Sequence, residues 1–173
     1  METSSSQCEN KILAATSYGS PVIKKAIRAL KYQKAKRVAK PLAKLIHTRL
    51  MNEVQPHSLI IPIPLSKKRL RERGFNQAEL IAKELSDIMS IKVLTYVLRR
   101  DRHTISQVDI KDRKKRLNNL KNAFSVKNKH LIQGVDIFVI DDVSTTGATI
   151  NEACRVLKLA GAKSVTGVVV ARG

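Results

Sequence analysis

The run Ile137-Phe138-Val139-Ile140-Asp141-Asp142-Val143-Ser144-Thr145-Thr146-Gly147-Ala148-Thr149 places two adjacent acids after four apolar residues and before a small, hydroxyl-rich turn. Each part has a chemical use. Asp141 and Asp142, at the end of a buried strand, can accept hydrogen bonds from two neighbouring sugar hydroxyls, directly or through a hydrated cation. Ser144, Thr145 and Thr146 offer hydroxyls and, with Ala148 and Thr149, backbone N–H groups at a helix N-terminus, where the positive end of the helix dipole stabilises a phosphate. Gly147 lets the backbone approach that phosphate closely. The pattern describes a receptor for a ribose phosphate. No GxxxxGK[ST] occurs, and no GxGxxG follows a predicted strand, so the P-loop and dinucleotide fingerprints are absent.

These residues need a framework that brings strand ends together. Ser20 and Pro21 open a helix whose Ile23, Ala26, Ile27 and Leu30 recur at helical spacing, with Lys24, Lys25, Arg28 and Lys31 on the other face. Val38, Leu42, Leu45, Ile46 and Leu50 mark a second helix that Pro41 either starts or kinks. Leu59 to Ile63 reads as a strand, Ser66 to Asn76 as a polar loop, and Ala78 to Met89 as a helix. Val93 to Leu98 reads as a strand, Arg99 to Lys121 as a long loop, and Phe124 to Val126 as a short strand. Ile137 to Ile140 is a continuous apolar run of the parallel, doubly buried kind; Glu152 to Leu159 is helical with Gly161 at its C-terminal cap, and Val165 to Val170 is a closing strand. The expectation is one α/β domain over residues 1–173, with basic helices over about 20–52, a core over about 57–173, and a mostly parallel sheet flanked by helices. Ligands of such sheets sit beyond the carboxyl ends of the strands.

Composition narrows the setting. The 173 residues carry 33 Lys and Arg against 14 Asp and Glu, a formal net charge of +19. The charge is clustered: Met1 to Pro56 holds 11 basic and 3 acidic residues, and so does Arg99 to His130, whereas Leu131 to Gly173 holds 4 of each. Clustering of this kind points to polyanionic ligands or partners. No apolar run approaches the roughly 20 residues a membrane span requires, and Met1 to Asn10 is polar, so the chain reads as soluble and cytoplasmic, without membrane insertion. Cys8 and Cys154 are too far apart in sequence for a CxxC zinc site, and His47, His57, His103 and His130 show no metal-ligand spacing.

The run Ile137 to Thr149 resembles the phosphoribosyl pyrophosphate signature of type I phosphoribosyltransferases. Within that superfamily, Arg73-Gly74-Phe75-Asn76-Gln77, Ser106-Gln107 and Arg113 to Asn118 resemble the ComF family of competence-associated proteins, a similarity that runs from about Tyr18 to Ala171. Many members of that family begin with a cysteine-rich zinc segment; here only Cys8 stands in that region, and no zinc is expected. The resemblance implies a type I phosphoribosyltransferase-like fold in which Asp141 and Asp142 hold the ribose hydroxyls and act catalytically. It implies that Ser144 to Thr149 wrap the 5′-phosphate, and that magnesium is held mainly through phosphoribosyl pyrophosphate rather than by direct protein ligation.

The superfamily keeps its pyrophosphate loop after the first core strand, where Lys67, Lys68 and Arg69 stand. Arg99 and Arg100 follow the second strand, and all five are candidates for pyrophosphate; a solvated basic face is the other reading of each. Arg71 to Gln77 either contacts ligand or is structural, with Asn76 capping the next helix. Asp101 to Asn119 occupies the place of a closing hood, or is an ordinary loop. Two functions follow. One is phosphoribosyl transfer to an unidentified acceptor. The other is non-catalytic binding of single-stranded DNA during natural transformation, mostly electrostatic because only three Tyr and three Phe are available for stacking. Homodimerisation is common among such proteins and is left open by the sequence.

Overall fold

The computed structural model describes residues 11–100 and 123–173. Four strands form one parallel sheet: β1 (Ile12–Ser17), β2 (Leu59–Pro62), β5 (Asp136–Ser144) and β6 (Ser164–Arg172), in the order β1-β6-β5-β2. Two short strands, β3 (Leu98–Arg100) and β4 (Phe124–Val126), pair antiparallel beside it. The helices are α1 (Pro21–Tyr32), α2 (Ala39–Leu50), α3 (Lys67–Arg73), α4 (Gln77–Met89) and α5 (Ala148–Leu159).

Period-two alternation along buried strands divides the apolar side chains between two cores. Ile60, Phe138, Ile140, Val168 and Val170 point into a core filled by Ile27 and Leu30 of α1, Leu42, Ile46 and Leu50 of α2, and Ile81 and Leu85 of α4. Ile61, Ile137, Val139, Val165 and Val169 point to the opposite face, where α5 packs through Ile150, Ala153, Cys154 and Leu157 beside Leu98 and Phe124. The expected α/β fold with a parallel sheet flanked by helices is present. The two basic helices cover one face, as their apolar stripes required. Among the described residues no helix is long and apolar enough to cross a membrane.

Several local expectations change. Pro41 lies in the first turn of α2 and does not kink it, since its missing N–H falls where no helical bond is needed. Leu45 falls off the buried stripe of α2 and is 40% exposed. Ser20 occupies the N-cap position of α1, but its side chain makes no capping bond. The polar segment expected as a loop contains α3: Ser66 Oγ accepts the Arg69 N–H at 3.3 Å, and Gly74 closes the helix at φ 77°. This helix buries none of its residues, so it leaves no periodic signal. Val93 to Leu98 is not a full strand. Its Val93 forms a single parallel bridge to Ile60 at the free edge of β2, and the chain then turns Leu94, Val97 and Leu98 into the second core.

β1 has little strand signal in its own residues, Ile-Leu-Ala-Ala-Thr-Ser, and exists through its pairing with β6. β5 runs through both acids to Ser144, which pairs with Arg172 of β6. Consequently α5 begins at Ala148, a turn earlier than the apolar pattern places it. Gly161, at φ 105°, follows α5 as its expected left-handed stop.

Candidate functional site

A cleft of about 280 Å³ opens beyond the carboxyl end of β5. Its floor is Asp141 to Ile150; Ile63 to Ser66 after β2, Lys31 and Tyr32 at the end of α1, Arg69 and Arg73 of α3, Gln77, and Arg100 of β3 form the walls. Four cations therefore surround two acids.

Asp142 is 3% exposed. Its Oδ1 accepts the N–H of Val143 at 2.8 Å, and its Oδ2 lies 2.7 Å from Lys31 Nζ, outside good hydrogen-bond angles, so that contact is chiefly Coulombic. Asp141 Oδ1 accepts the N–H of Asp142 at 2.8 Å. Enclosure by the cleft walls, reinforced by the Asp142 charge and opposed by Lys31, pushes the Asp141 carboxyl up from 3.8 to about 7. Arg100 is lowered by burial and by the neighbouring Arg69 charge, with Asp141 acting the other way, and its guanidinium lies 5.5 Å from the centre of the Phe124 ring. Arg69, Arg100 and Asp141 thus share one electrostatic environment.

The raised Asp141 carboxyl makes a stability claim. Between pH 4 and 7 the unfolded chain has lost this proton while the folded chain keeps it, so rising pH favours unfolding through that window. Asp141→Asn, which keeps an acceptor for the Asp142 N–H, is expected to melt higher than the parent at pH 8. The advantage should be of order 1–3 kcal/mol, below the roughly 4 kcal/mol of the whole displacement because the carboxyl opens on the cleft. It should vanish near pH 4. Thermal melts of both proteins from pH 4 to 8 check this, and parallel pH curves would refute it.

The turn leading into α5 depends on a glycine. Gly147 has φ 76° and its carbonyl accepts the Asn151 N–H at 2.8 Å. A Cβ there would stand 3.0 Å from Ile12 Cδ1, so both backbone sign and space call for glycine. Thr146 Oγ1 takes the Ala148 N–H at 3.4 Å, and Ala148, Thr149 and Ile150 of the first turn of α5 line the cleft.

Of the five basic candidates for pyrophosphate, the fold brings Arg69 and Arg100 to the cleft and leaves Lys67, Lys68 and Arg99 out of its lining. Helix α3 is the reason for the first two: a helical turn from Ser66 points Arg69 and Arg73 to one side and the lysines to solvent. Alternation along β3 is the reason for the third, since Arg99 is exposed and Arg100 is not. Arg73 donates to Gln77 Oε1 at 2.9 Å and stacks on Tyr32 at 5.4 Å, while Asn76 caps α4 through the Ala78 N–H at 3.1 Å and donates to the Ile63 carbonyl at 2.9 Å. The Arg-Gly-Phe-Asn-Gln run therefore ties α3, α4 and the end of β2 together, and Arg73 and Gln77 also reach the cleft.

Lys31 and Tyr32 are the cleft residues that sequence reasoning missed. In sequence Lys31 belongs to the basic face of α1, opposite the apolar stripe; its one signal is adjacency to the buried Leu30 at the helix end. The segment Asp101 to Asn119, with Ser106, Gln107 and Arg113 to Asn118, lies outside the described residues, as does Cys8. Cys154 is buried among apolar side chains, which pushes its thiol up to about 12.

The donor set around the acid pair is sparse for a divalent ion. Asp142 already has both oxygens engaged, Asp141 has one, and among the described residues no group of three or more His, Cys, Asp or Glu converges. Among the described residues these carboxylates do not form a closed cage for a divalent ion.

Residues 70–173 match the model of the phosphoribosyl transferase domain. The chain is 34% identical over 147 residues to competence protein F of Haemophilus influenzae, covering 80% of this chain and 63% of that protein. It is 31% identical over 151 residues to DNA utilization protein YhgH of Escherichia coli K12, covering 84% and 65%. It thus spans just under two thirds of the length of these relatives. Over 105 residues it is 37% identical to competence protein ComFC of Bacillus subtilis, covering 58% and 38%. Among solved structures it is similar to adenine phosphoribosyl transferase of Trypanosoma brucei, with TM-score 0.51, 14% identity and coverage of 90% and 71%. Glutamine phosphoribosylpyrophosphate amidotransferase of B. subtilis gives TM-score 0.51 at 15% identity, covering 76% and 26%. At these identities the likeness concerns the fold.

Proposed function

Because this chain belongs to the phosphoribosyl transferase domain family, and within it to the ComF branch, we propose that its cleft binds magnesium phosphoribosyl pyrophosphate and transfers the phosphoribosyl group to an acceptor. The observation that carries this reading is the placement of Asp141 and Asp142 at the carboxyl end of β5, beneath the N-terminus of α5, with Arg69 and Arg100 across the same cleft. The two acids accept the ribose hydroxyls, and Ser144 to Thr149 surround the 5′-phosphate with hydroxyls and backbone N–H groups. As the anomeric carbon–oxygen bond breaks, charge grows on the departing pyrophosphate, and Arg69 and Arg100 stabilise it more in the transition state than in the ground state. Magnesium, bound through the ligand's own oxygens, supplies further neutralisation of that charge. Calorimetric titration of phosphoribosyl pyrophosphate with and without magnesium tests the reading: saturable, magnesium-dependent binding is expected, and no binding by folded protein would reject it.

A role in DNA uptake or processing during natural transformation is proposed from the relatives named for competence and DNA utilization. One feature of the surface favours direct contact with a single strand. Lys31, Tyr32, Lys34, Arg69, Glu72 and Arg73 line a second depression that shares four residues with the cleft. Tyr32 is 68% exposed and carries the Arg73 guanidinium on one face, which leaves an aromatic step inside a basic groove. Tyr32→Ala is expected to weaken binding of a labelled oligothymidylate by about tenfold, from stacking worth about 1–3 kcal/mol per base. Binding should fall linearly in log–log plots against salt and survive Asp142→Asn. Fluorescence anisotropy at several salt concentrations measures both, and an unaltered affinity in Tyr32→Ala would remove the step from the interface.

A further inference from the structure

We propose that Lys31 is the resident counter-cation of the acid pair, excluding free divalent cations from Asp142 so that the pair meets a cation only together with its sugar phosphate. Two adjacent carboxylates in a partly enclosed cleft would otherwise attract a free divalent ion. Here the Asp142 oxygen that is not held by the Val143 N–H faces Lys31 Nζ at 2.7 Å, and the two side chains are 4% and 19% exposed. A divalent ion on that oxygen would have to stand beside the ammonium or displace it, and both are opposed by charge. Each carboxylate oxygen has two lone-pair directions, so a neutral sugar hydroxyl can still donate to Asp142 while Lys31 remains. The device thus discriminates between a bare cation and a hydroxyl.

The placement of Lys31 is built rather than incidental. It stands in the last turn of α1, where the helix dipole favours a cation, and Ile27 and Leu30 anchor that turn in the core. Lys31 also faces Asp141, whose carboxyl it opposes in rising. Facing the pair from other elements are Arg69 of α3 and Arg100 of β3. Helix α1 precedes the segment that matches the phosphoribosyl transferase domain, so the counter-cation comes from outside the part of the chain that carries the sugar-phosphate signature.

The inference rests on the sugar-phosphate reading for what the pair finally receives, while its cation half stands by itself. The experiment is therefore a titration of Mn²⁺ alone, followed by electron paramagnetic resonance and by thermal shift, on the whole chain and on Lys31→Met, Lys31→Arg and Lys31→Met/Asp142→Asn. Lys31→Met is expected to bind Mn²⁺ at least tenfold more tightly than the parent and to gain thermal stability from it. Lys31→Arg should behave as the parent, and the double variant should lose the new site. If Lys31→Met does not fold, Lys31→Gln, which is neutral but polar, carries the same readout. Equal Mn²⁺ affinity in the parent and the lysine variant, whether weak or strong in both, overturns the proposal. Phosphoribosyl pyrophosphate is titrated separately into the parent: its failure to bind, with the Mn²⁺ difference intact, rejects the sugar-phosphate reading and leaves the counter-cation standing.

Discussion

Asp142→Asn is expected to weaken phosphoribosyl pyrophosphate binding between tenfold and a hundredfold in calorimetric titration. The carboxylate lies at the carboxyl end of β5, held by the Val143 N–H at 2.8 Å and by Lys31 at 2.7 Å. An ionised acceptor contributes about 1.5–3 kcal/mol to a hydrogen bond, and the amide that replaces it returns only part of that. The substitution also strands the Lys31 ammonium, which is 19% exposed and, among the described residues, has no other carboxylate as close. Stability should therefore fall as well, and binding must be compared on protein shown to be folded by its melting curve. Lys31→Met/Asp142→Asn separates the two effects, because it removes the stranded charge: stability should recover while ligand affinity stays low. If Asp142→Asn bound the ligand with the parent's affinity and enthalpy, the acid pair would not be the ribose site.

Gly167→Ala is expected to destabilise the fold by about 1–3 kcal/mol, the range for overpacking a filled core. In a domain of this size that lowers the melting temperature by roughly 2–4 °C per kcal/mol. A Cβ at this point of β6 would lie 2.2 Å from Ile150 Cγ2, a branch of a residue in the first turn of α5. That carbon sits one bond from the helix residue's own Cβ, so it can yield only if α5 itself moves from the sheet. The helix that would move is the one whose N-terminus forms the floor of the cleft. Affinity for a sugar phosphate should therefore decline alongside stability. Ile150→Ala by itself should cost about 2–5 kcal/mol through the cavity it leaves. In the double variant the two costs should sum to clearly less than their separate values, since each relieves the other. Strict additivity in melting experiments would show that the contact is not as tight as the geometry makes it.

The acid pair and the turn after it were legible because their chemistry is local. Apolar residues, two carboxylates, hydroxyls and Gly147 follow one another in thirteen positions, and a strand leading into a helix is the arrangement that uses them in that order. The cationic wall was only half legible. Lys67, Lys68 and Arg69 are alike in sequence, and the turn of α3 alone separates the arginine from the lysines. That helix has no buried residue, and its evidence lay in a serine cap and a left-handed glycine rather than in hydrophobic period. Arg99 and Arg100 are likewise indistinguishable until the strand pairing with Ser125 and Phe124 assigns each a face.

By itself the sequence determined the fold class, the buried β5 and β6 strands and the basic helices against one sheet face. Periodicity and turn chemistry act over a few residues and leave their mark in order along the chain. Only the tertiary structure decided that Ile12 to Ser17 is a strand, that β5 extends through both acids, and that Lys31 and Tyr32 from α1 meet Arg69, Arg73 and Arg100 around them. Those facts depend on pairing and packing between residues separated by tens to more than a hundred positions, where a lysine on the rim of an apolar stripe carries no sign of the carboxylate it will face.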